Sequence, residues 1–454
     1  MIKFFNWIAQ TIKKDDFQNI VIIIFGIFSA ILTLAFFSMS GRSLSPEEYS
    51  RFGILLSIYF VVLVISSTIY NVVLRYVSYF KAKSQEGKIS EFSFDVIVIS
   101  FLAGIILMAL ILVCGELLHT RFFISYSDIV MLGLIILAQM LLNVVYAILN
   151  GLQKLFLLAF YRLASAVVLL VCGILLIEKG TFGVLTAIFI SLLVLLPIGF
   201  FGLRKFLFYR SIKIGEMGIF GYIVRAAILS IFFAVILNID VFIAKLFLTS
   251  EESGNYAAAA LLGKLPFFIA SSFVTIIFPK AAELESDGKD SSFLLKYGII
   301  STSVLSFGLT LLYFAFPSFF VGLFFSHNFK IGFLFAKIAI ASSLLAITNI
   351  ILMYHLAIKK YAPLYAVPLF GVAIMLAFLL DYKTSGQIAA LLLAASILIT
   401  ITTLFITKDA LREAFFVRGG YRGYDFIRMW LKFERSTLNS DASKPLENIV
   451  NNNK

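Results

Sequence analysis

Residues 44–53 read Leu-Ser-Pro-Glu-Glu-Tyr-Ser-Arg-Phe-Gly, and residues 248–257 read Leu-Thr-Ser-Glu-Glu-Ser-Gly-Asn-Tyr-Ala. The two stretches begin 204 positions apart, at residues 44 and 248. When they are aligned with this offset, the leucine and both glutamates of the second stretch coincide with those of the first. Each stretch separates two long apolar runs. A helical hairpin that recurs at this distance in an apolar chain indicates two related membrane-spanning halves.

The composition places the chain in a membrane. Apolar residues make up 61% of its 454 residues, charged residues only 14%, and the mean hydropathy is +1.02. A soluble domain carries about 25% charged residues. The apolar material suffices for about twelve spans of roughly 20 residues each. We predict them at 19–39, 53–74, 94–117, 128–149, 155–177, 182–203, 219–246, 255–278, 293–316, 335–357, 362–380 and 386–406.

The predicted fold class is therefore all-α: a polytopic membrane protein of about twelve transmembrane helices in two pseudo-symmetric six-helix bundles. Because six spans separate the two copies of the motif, both halves have the same orientation, which makes the repeat parallel rather than inverted. The expected segments are a cytoplasmic amphipathic N-terminus at 1–18, a bundle at 19–203, a cytoplasmic linker at 204–218, a second bundle at 219–407, and an interfacial and disordered cytoplasmic tail at 408–454.

The net charge of +12 follows the predicted topology. Lysine and arginine concentrate before the first span, in the connections around 75–92, 204–217 and 280–292, and after residue 407. This asymmetry is the positive-inside pattern, and it predicts that both termini are cytoplasmic. The basic excess also attracts anionic lipids, so we expect membrane lipids as partners and no nucleic acid.

The paired glutamates of the repeat match a helix start. Ser45 is followed three residues later by Glu48, and Thr249 is followed in the same way by Glu252. This spacing is the capping box, and acidic residues in a first turn complement the helix dipole. We interpret the glutamates as structural rather than catalytic.

Charges inside the predicted spans are rare and carry more information. A charged group at the centre of a bilayer costs at least ~2.5 kcal/mol, so it usually faces a cavity or a partner. Lys245 and Lys337 are near span ends, from which their side chains can reach the headgroups. The deeper basic residues outnumber the acidic ones, which favours an anionic substrate. The candidate basic contacts are Arg162, Arg225 and Lys264.

Asp240 and Lys264 lie 11 and 13 residues on either side of Glu251. Antiparallel helices that rise ~1.5 Å per residue place them at similar depths. Two interpretations stay open: an ion pair that holds the two helices together, or a proton or cation site at Asp240 beside an anion contact at Lys264.

Amide side chains complete the candidate lining. Asn71, Gln139 and Asn143 lie within or beside predicted spans, where they can contact a polar substrate. The alternative is that they only bridge helices, since interhelical amide hydrogen bonds are common in membrane proteins.

Enzyme chemistry finds little support in the chain. The three histidines are scattered, the two cysteines lack metal-ligand spacing, and no phosphate-binding loop is present. We expect no enzyme, no cofactor and no metal.

The residues around the repeat resemble a known family. The stretches concerned are 41–53, Asn238-Ile239-Asp240, Tyr256-Ala257-Ala258-Ala259 and Phe278-Pro279-Lys280. They resemble the polysaccharide transporter branch of the multidrug/oligosaccharidyl-lipid/polysaccharide exporter superfamily, which includes bacterial O-antigen and exopolysaccharide flippases. The resemblance covers residues 1 to about 407.

This resemblance implies an alternating-access flippase that moves an undecaprenyl-diphosphate-linked oligosaccharide to the periplasmic leaflet of the bacterial inner membrane. It further implies Asp240 as an ion-coupling candidate, H⁺ or Na⁺ as coupling ions, and a polysaccharide polymerase and chain-length regulator as partners. The alternatives are a multidrug/cation antiporter, which predicts deep acidic residues, and a lipid II-type flippase, which typically carries two extra spans. A glycan polymerase or ligase usually needs a large periplasmic loop, and the outward loops here are short.

Overall fold

The computed structural model describes residues 14–204, 220–286, 290–358, 360 and 382–416. Apart from one short 3₁₀ turn, every regular element among these residues is an α-helix. The first half contains α1 (Lys14–Ser43), α2 (Pro46–Ala82), α3 (Glu86–Val113), α4 (Gly115–Phe122), α5 (Tyr126–Gly151), α6 (Leu155–Leu176) and α7 (Gly180–Leu203). The second half contains α8 (Phe220–Phe247), α9 (Ser250–Ala270), α10 (Ser272–Ser286), α11 (Ser292–Ala315), α12 (Pro317–Phe324), α13 (Leu334–Ala357), α14 (Ser385–Ile406) and α15 (Lys408–Phe416).

The protein is a multi-pass membrane protein, as its composition predicts. Within the described residues, nine helical stretches are long and apolar enough to cross a membrane, and one of them, 155–203, contains both α6 and α7. Long helices lie at eleven of the twelve predicted spans. The predicted span at 362–380 lies outside the described residues, as do most of the predicted linker and the chain after Phe416.

Both repeated hairpins turn within two residues and begin their second helix with the same cap. In α2, the Glu48 amide donates to Oγ of Ser45 at 3.3 Å, and the Ser45 amide donates to Oε2 of Glu48 at 3.2 Å. In α9, the corresponding distances between Thr249 and Glu252 are 3.3 and 3.4 Å. The predicted capping boxes are confirmed. We call the end of the molecule at which these two turns lie the hairpin end.

One helix lies at the centre of each half. In the first half α5 packs against α2, α3 and α7, and α1 packs against α6. In the second half α13 packs against α9, α11 and α14. Most side chains of α5 and α13 are buried, so each forms the core on which the other helices rest.

The two halves meet at the hairpin end through small residues. Gly53 of α2 faces Ala257 of α9, where an added Cβ at Gly53 would lie 2.5 Å from the alanine Cβ. These two positions are 204 residues apart, so each residue contacts its own equivalent in the repeat. Gly254 lies against the backbone of Pro46, where a Cβ would collide with the proline carbonyl oxygen. A close two-fold contact of this kind is self-complementary.

The short helices α4 and α12 extend this closure in the same symmetric manner. Phe122 of α4 packs edge to face on Phe242 of α8, with ring centroids 6.0 Å apart. On the other side, Ser38 of α1 donates to the carbonyl oxygen of Leu323 in α12 at 2.5 Å. Positions 38 and 242 are again 204 residues apart. Each half therefore places a short helix on the first helix of the other half, and the hairpin end is closed.

Candidate functional site

The second half contains a buried cluster of polar groups between α8 and α9. Nζ of Lys264 donates to Oδ1 of Asp240 at 2.7 Å, and the Tyr256 hydroxyl donates to Oδ2 at 3.1 Å. Asp240 and Lys264 are 2% and 3% exposed, and Tyr256 is fully buried. We call Asp240, Tyr256 and Lys264 the charge triad. Its geometry confirms that Asp240 and Lys264 lie at the same depth and form an ion pair.

The charge triad is internally compensated in this conformation. Both carboxylate oxygens accept a hydrogen bond, and the ammonium of Lys264 is neutralised by its partner. Removing one member of a buried ion pair leaves an uncompensated charge, which is strongly destabilising. Lys264 therefore faces Asp240 here rather than an open cavity, and it becomes available to an anion only if another group replaces it beside the carboxylate.

Asp240 also borders a small apolar pocket between α8 and α14. The pocket wall includes Ile239 and Ile243 of α8 and Ile388 and Leu392 of α14. Its volume of about 10 Å³ is near the minimum that holds one water molecule.

The first half contains a chain of neutral hydrogen bonds between α2 and α5. The Tyr59 hydroxyl donates to Oε1 of Gln139 at 2.9 Å, and Nε2 of Gln139 donates to Oδ1 of Asn143 at 2.9 Å. Asn143 in turn donates through Nδ2 to Oγ of Ser66 at 2.7 Å. We call these four residues, together with the Asn150–Tyr70 pair described next, the amide ladder.

The ladder continues toward the end opposite the hairpins. Nδ2 of Asn150 donates to the Tyr70 hydroxyl at 2.6 Å. Asn71 lies next to it on α2 and is exposed, and its amide makes no hydrogen bond to any part of the chain that the structure describes. The structure therefore brings Gln139 and Asn143 together and leaves Asn71 outside their network.

Arg162 on α6 lies near the ladder. Its side chain is exposed, and within the described ranges no carboxylate pairs with it. It lies within electrostatic range of the Tyr146 hydroxyl, which shares a face of α5 with Asn143 and Asn150. The backbone of the remaining candidate, Arg225, lies on α8, but its side chain is outside the part of the chain that the structure describes.

Two lysines near span ends behave differently from each other. Lys337 on α13 is exposed, as expected for a side chain that reaches the headgroups. Lys245 is 7% exposed, and its Nζ donates to Oγ of Ser250 at 3.1 Å. The expectation that Lys245 extends to the surface is wrong, because the turn into α9 offers its ammonium a nearer acceptor.

Sequence analysis missed the tyrosines of both clusters. Tyr59, Ser66 and Tyr70 are seven and four residues apart, which places them on one face of α2, and this spacing was available as a signal. Tyr256 had no comparable signal, since its contact with Asp240 depends on how α8 and α9 cross.

No protein-family profile matches the chain, and none of the curated proteins matches it in sequence. Several solved structures share its fold. The lipid II flippase MurJ in an inward closed conformation has a TM-score of 0.62 at 15% identity, over 92% of this chain and 97% of that one. An outward-facing multidrug resistance MATE family transporter of the MOP superfamily has a TM-score of 0.63 at 12% identity, over 87% and 95%. The Vibrio cholerae MATE transporter VcmN in its bent form has 0.58 at 14%, over 88% and 97%. At these identities the similarity establishes the fold.

Proposed function

We propose that the protein is a flippase that moves an undecaprenyl-diphosphate-linked oligosaccharide repeat unit, of an O-antigen or exopolysaccharide, across the bacterial inner membrane. It does so by alternating access, with its termini in the cytoplasm and its hairpin end at the periplasmic face. The fold that it shares with a lipid II flippase and with multidrug transporters supports a transport function.

The observation that carries the proposal is the symmetric closure of the hairpin end. α2 contacts the second half at Pro46, Gly53 and Phe60, whose ring lies 5.2 Å from that of Phe268. Farther along α2, Ser66 and Tyr70 bond to α5 of their own half, and Asn71 is exposed. A transporter that is closed at one end and carries polar groups toward the other has the arrangement needed to load from the cytoplasm.

The chemistry of the first half suits the two parts of such a cargo. Amide and phenol groups of the ladder match the hydroxyls of a sugar, with which they exchange hydrogen bonds without a change of charge. The uncompensated guanidinium of Arg162 suits a diphosphate, since arginine binds phosphate oxygens through two parallel hydrogen bonds. An anionic headgroup thus has a free cation near the ladder.

The charge triad supports a coupling step. A diphosphate that draws Lys264 away from Asp240 leaves a buried carboxylate without its cation. That carboxylate then takes up a proton or Na⁺, because an isolated buried charge is costly. In this proposal, Asp240 is the coupling residue and the exchange of its partner links cargo binding to the ion gradient.

Complementation tests the proposal. The chain is expressed in bacteria that lack their own O-antigen flippase, and surface polysaccharide is measured. We expect the wild type to restore surface polysaccharide. The variant Arg162→Gln, present in the membrane at equal abundance, should not restore it. If the inserted chain restores no polysaccharide in that host or with the glycan genes of its own source, the proposed cargo is wrong.

A lipid II-type flippase is the second candidate, because the fold is similar to that of a lipid II flippase over most of both chains. Growth of cells depleted of their lipid II flippase distinguishes it. Rescue of growth without restored surface polysaccharide would replace the first candidate by the second.

A further inference from the structure

A groove at the end opposite the hairpins has no part in the proposed transport path. It lies between α11, the end of α14 and the short helix α15, and its volume is about 340 Å³. Small-molecule sites typically measure about 300–1,000 Å³. Its wall consists of Ile299, Leu404, Lys408, Leu411, Arg412 and Phe415.

The sequence of α15 directs one of its faces at this groove. Lys408, Leu411, Arg412 and Phe415 are separated by three, one and three residues, which is the spacing of a single helical face. Ala414 is buried against the neighbouring core, and Leu411 contacts the same core from the edge of the groove face. Lys408, Arg412 and Phe415 are exposed and remain for an external occupant, with basic and aromatic side chains side by side.

Three cations lie at or beside the groove. The Lys408 ammonium lies 5.2 Å from the ring centre of Phe405, and the Lys296 ammonium lies 5.6 Å from that of Phe415. Among the described residues, no carboxylate pairs with Lys296, Lys408 or Arg412. Aromatic rings position a cation without neutralising it, so the positive charge remains for a ligand.

The chain beyond Phe416 is a poor counter-charge for this site. Residues 417–454 contain seven lysines or arginines and four aspartates or glutamates, so that segment is itself basic. The groove lies where α14, a candidate membrane span, ends. An occupant that combines an acyl chain with a negative headgroup matches both the apolar wall and the cations, and basic pockets at this level of a membrane protein bind anionic lipids.

We propose that this groove is a binding site for an anionic phospholipid. Lys408 and Arg412 hold the phosphate, while Ile299, Leu404 and Leu411 contact the first part of an acyl chain. The site is independent of the cargo, since none of its residues belongs to the charge triad or the amide ladder.

Native mass spectrometry of the full-length chain in detergent tests the proposal with phosphatidylglycerol as the probe and phosphatidylcholine as the zwitterionic reference. We expect selective retention of phosphatidylglycerol. The variant Lys408→Gln/Arg412→Gln should bind it roughly tenfold to thirtyfold more weakly, because each cation near an anionic lipid contributes to attraction. The conservative variant Lys408→Arg/Arg412→Lys should retain most of the binding.

A matched control separates a site from general attraction. Arg121→Gln/Lys179→Gln removes two exposed cations at the hairpin end, with the same change in net charge, and should bind as the wild type does. Ile299→Trp fills the groove but keeps its cations, and should also lose phosphatidylglycerol. The proposal would be overturned if the groove variants bound phosphatidylglycerol as tightly as the wild type does. It would also be overturned if the control variant lost as much binding as the groove variants, or if the wild type retained both lipids equally.

Discussion

The two repeated hairpins share their helix ends and caps but differ in their buried side chains. α1 and α8 end 204 residues apart, at Ser43 and Phe247, and the helices that follow carry the same capping box. Three positions that are buried in the second hairpin differ in character between the two. The second hairpin holds the charge triad of Asp240, Tyr256 and Lys264, and the positions 204 residues before them hold Phe36, Phe52 and Phe60.

This difference shows that the hairpin does not need the charges in order to fold. Phe36 and Phe52 are fully buried in the first half, so the same frame accepts an apolar interior at these positions. Replacing a buried ion pair by apolar residues of similar volume is often neutral or stabilising. The polar interior of the second hairpin therefore requires a reason other than stability, and the partner exchange that we propose for the transport cycle is one such reason.

The largest effect should come from breaking the ion pair on one side only. Asp240→Ala leaves the Lys264 ammonium buried without a partner and should lower the free energy of unfolding by about 3–5 kcal/mol. Asp240→Leu combined with Lys264→Met should melt near the wild-type temperature but transport nothing. Thermal unfolding in detergent and a transport assay measure the two effects. A double variant with normal transport would reduce the pair to a structural contact.

A smaller effect should follow from disturbing the contact between the hairpins. In Gly254→Ala the new Cβ meets the backbone of Pro46, which should destabilise the closure by about 1–3 kcal/mol and open the hairpin end. Gly322→Ala in α12, at the same end of the molecule, adds a Cβ that meets nothing within 4 Å and should leave the closure intact. Labelling of a Ser253→Cys reporter by an impermeant maleimide, with both native cysteines replaced by serine, measures the opening. Equal labelling in both variants would contradict the prediction.

The two caps should respond alike. Ser45→Ala and Thr249→Ala each remove the side chain that accepts the first-turn amide, and each should destabilise the protein by about 1 kcal/mol. Urea or thermal unfolding of the two single variants provides the comparison. A clearly unequal loss of unfolding free energy would mean that the two caps, despite the same geometry, do not contribute equally to stability.

The smallest effect on stability per hydrogen bond is expected in the amide ladder. Asn143→Leu breaks its bonds to Ser66 and Gln139 and should cost about 0.6 kcal/mol for each bond. Thr348→Val breaks the hydroxyl contact with Thr400 in the second half and serves as a control of similar size. Only Asn143→Leu should also weaken the apparent affinity for the cargo, so that half-maximal transport needs a higher cargo concentration. An equal change of transport in both variants would mean that the amide ladder is not part of the cargo site.

Local sequence predicted some contacts because they span few residues. The capping boxes join residues three apart, and a helix start constrains their geometry. The depths of Asp240 and Lys264 follow from the helical rise on either side of one short turn. Lys245 was mispredicted because its acceptor, Ser250, comes within reach only through the geometry of that turn. Asn71 and Asn143, equally plausible in sequence, differ because one lies outside the α2–α5 contact and the other within it.

The apolar composition and the repeated motif were sufficient to predict a multi-pass helical protein with two similarly oriented halves. A segment in a bilayer has to satisfy its backbone hydrogen bonds within itself, so a long apolar run has little choice but a helix. Which polar side chains meet was settled by packing. Each further residue turns a side chain by about 100° around its helix, so small differences in rotation and crossing decide whether it meets a partner, a cavity or lipid. The Tyr256–Asp240 bond, the amide ladder and the contact of Gly53 with Ala257 all arise at that level.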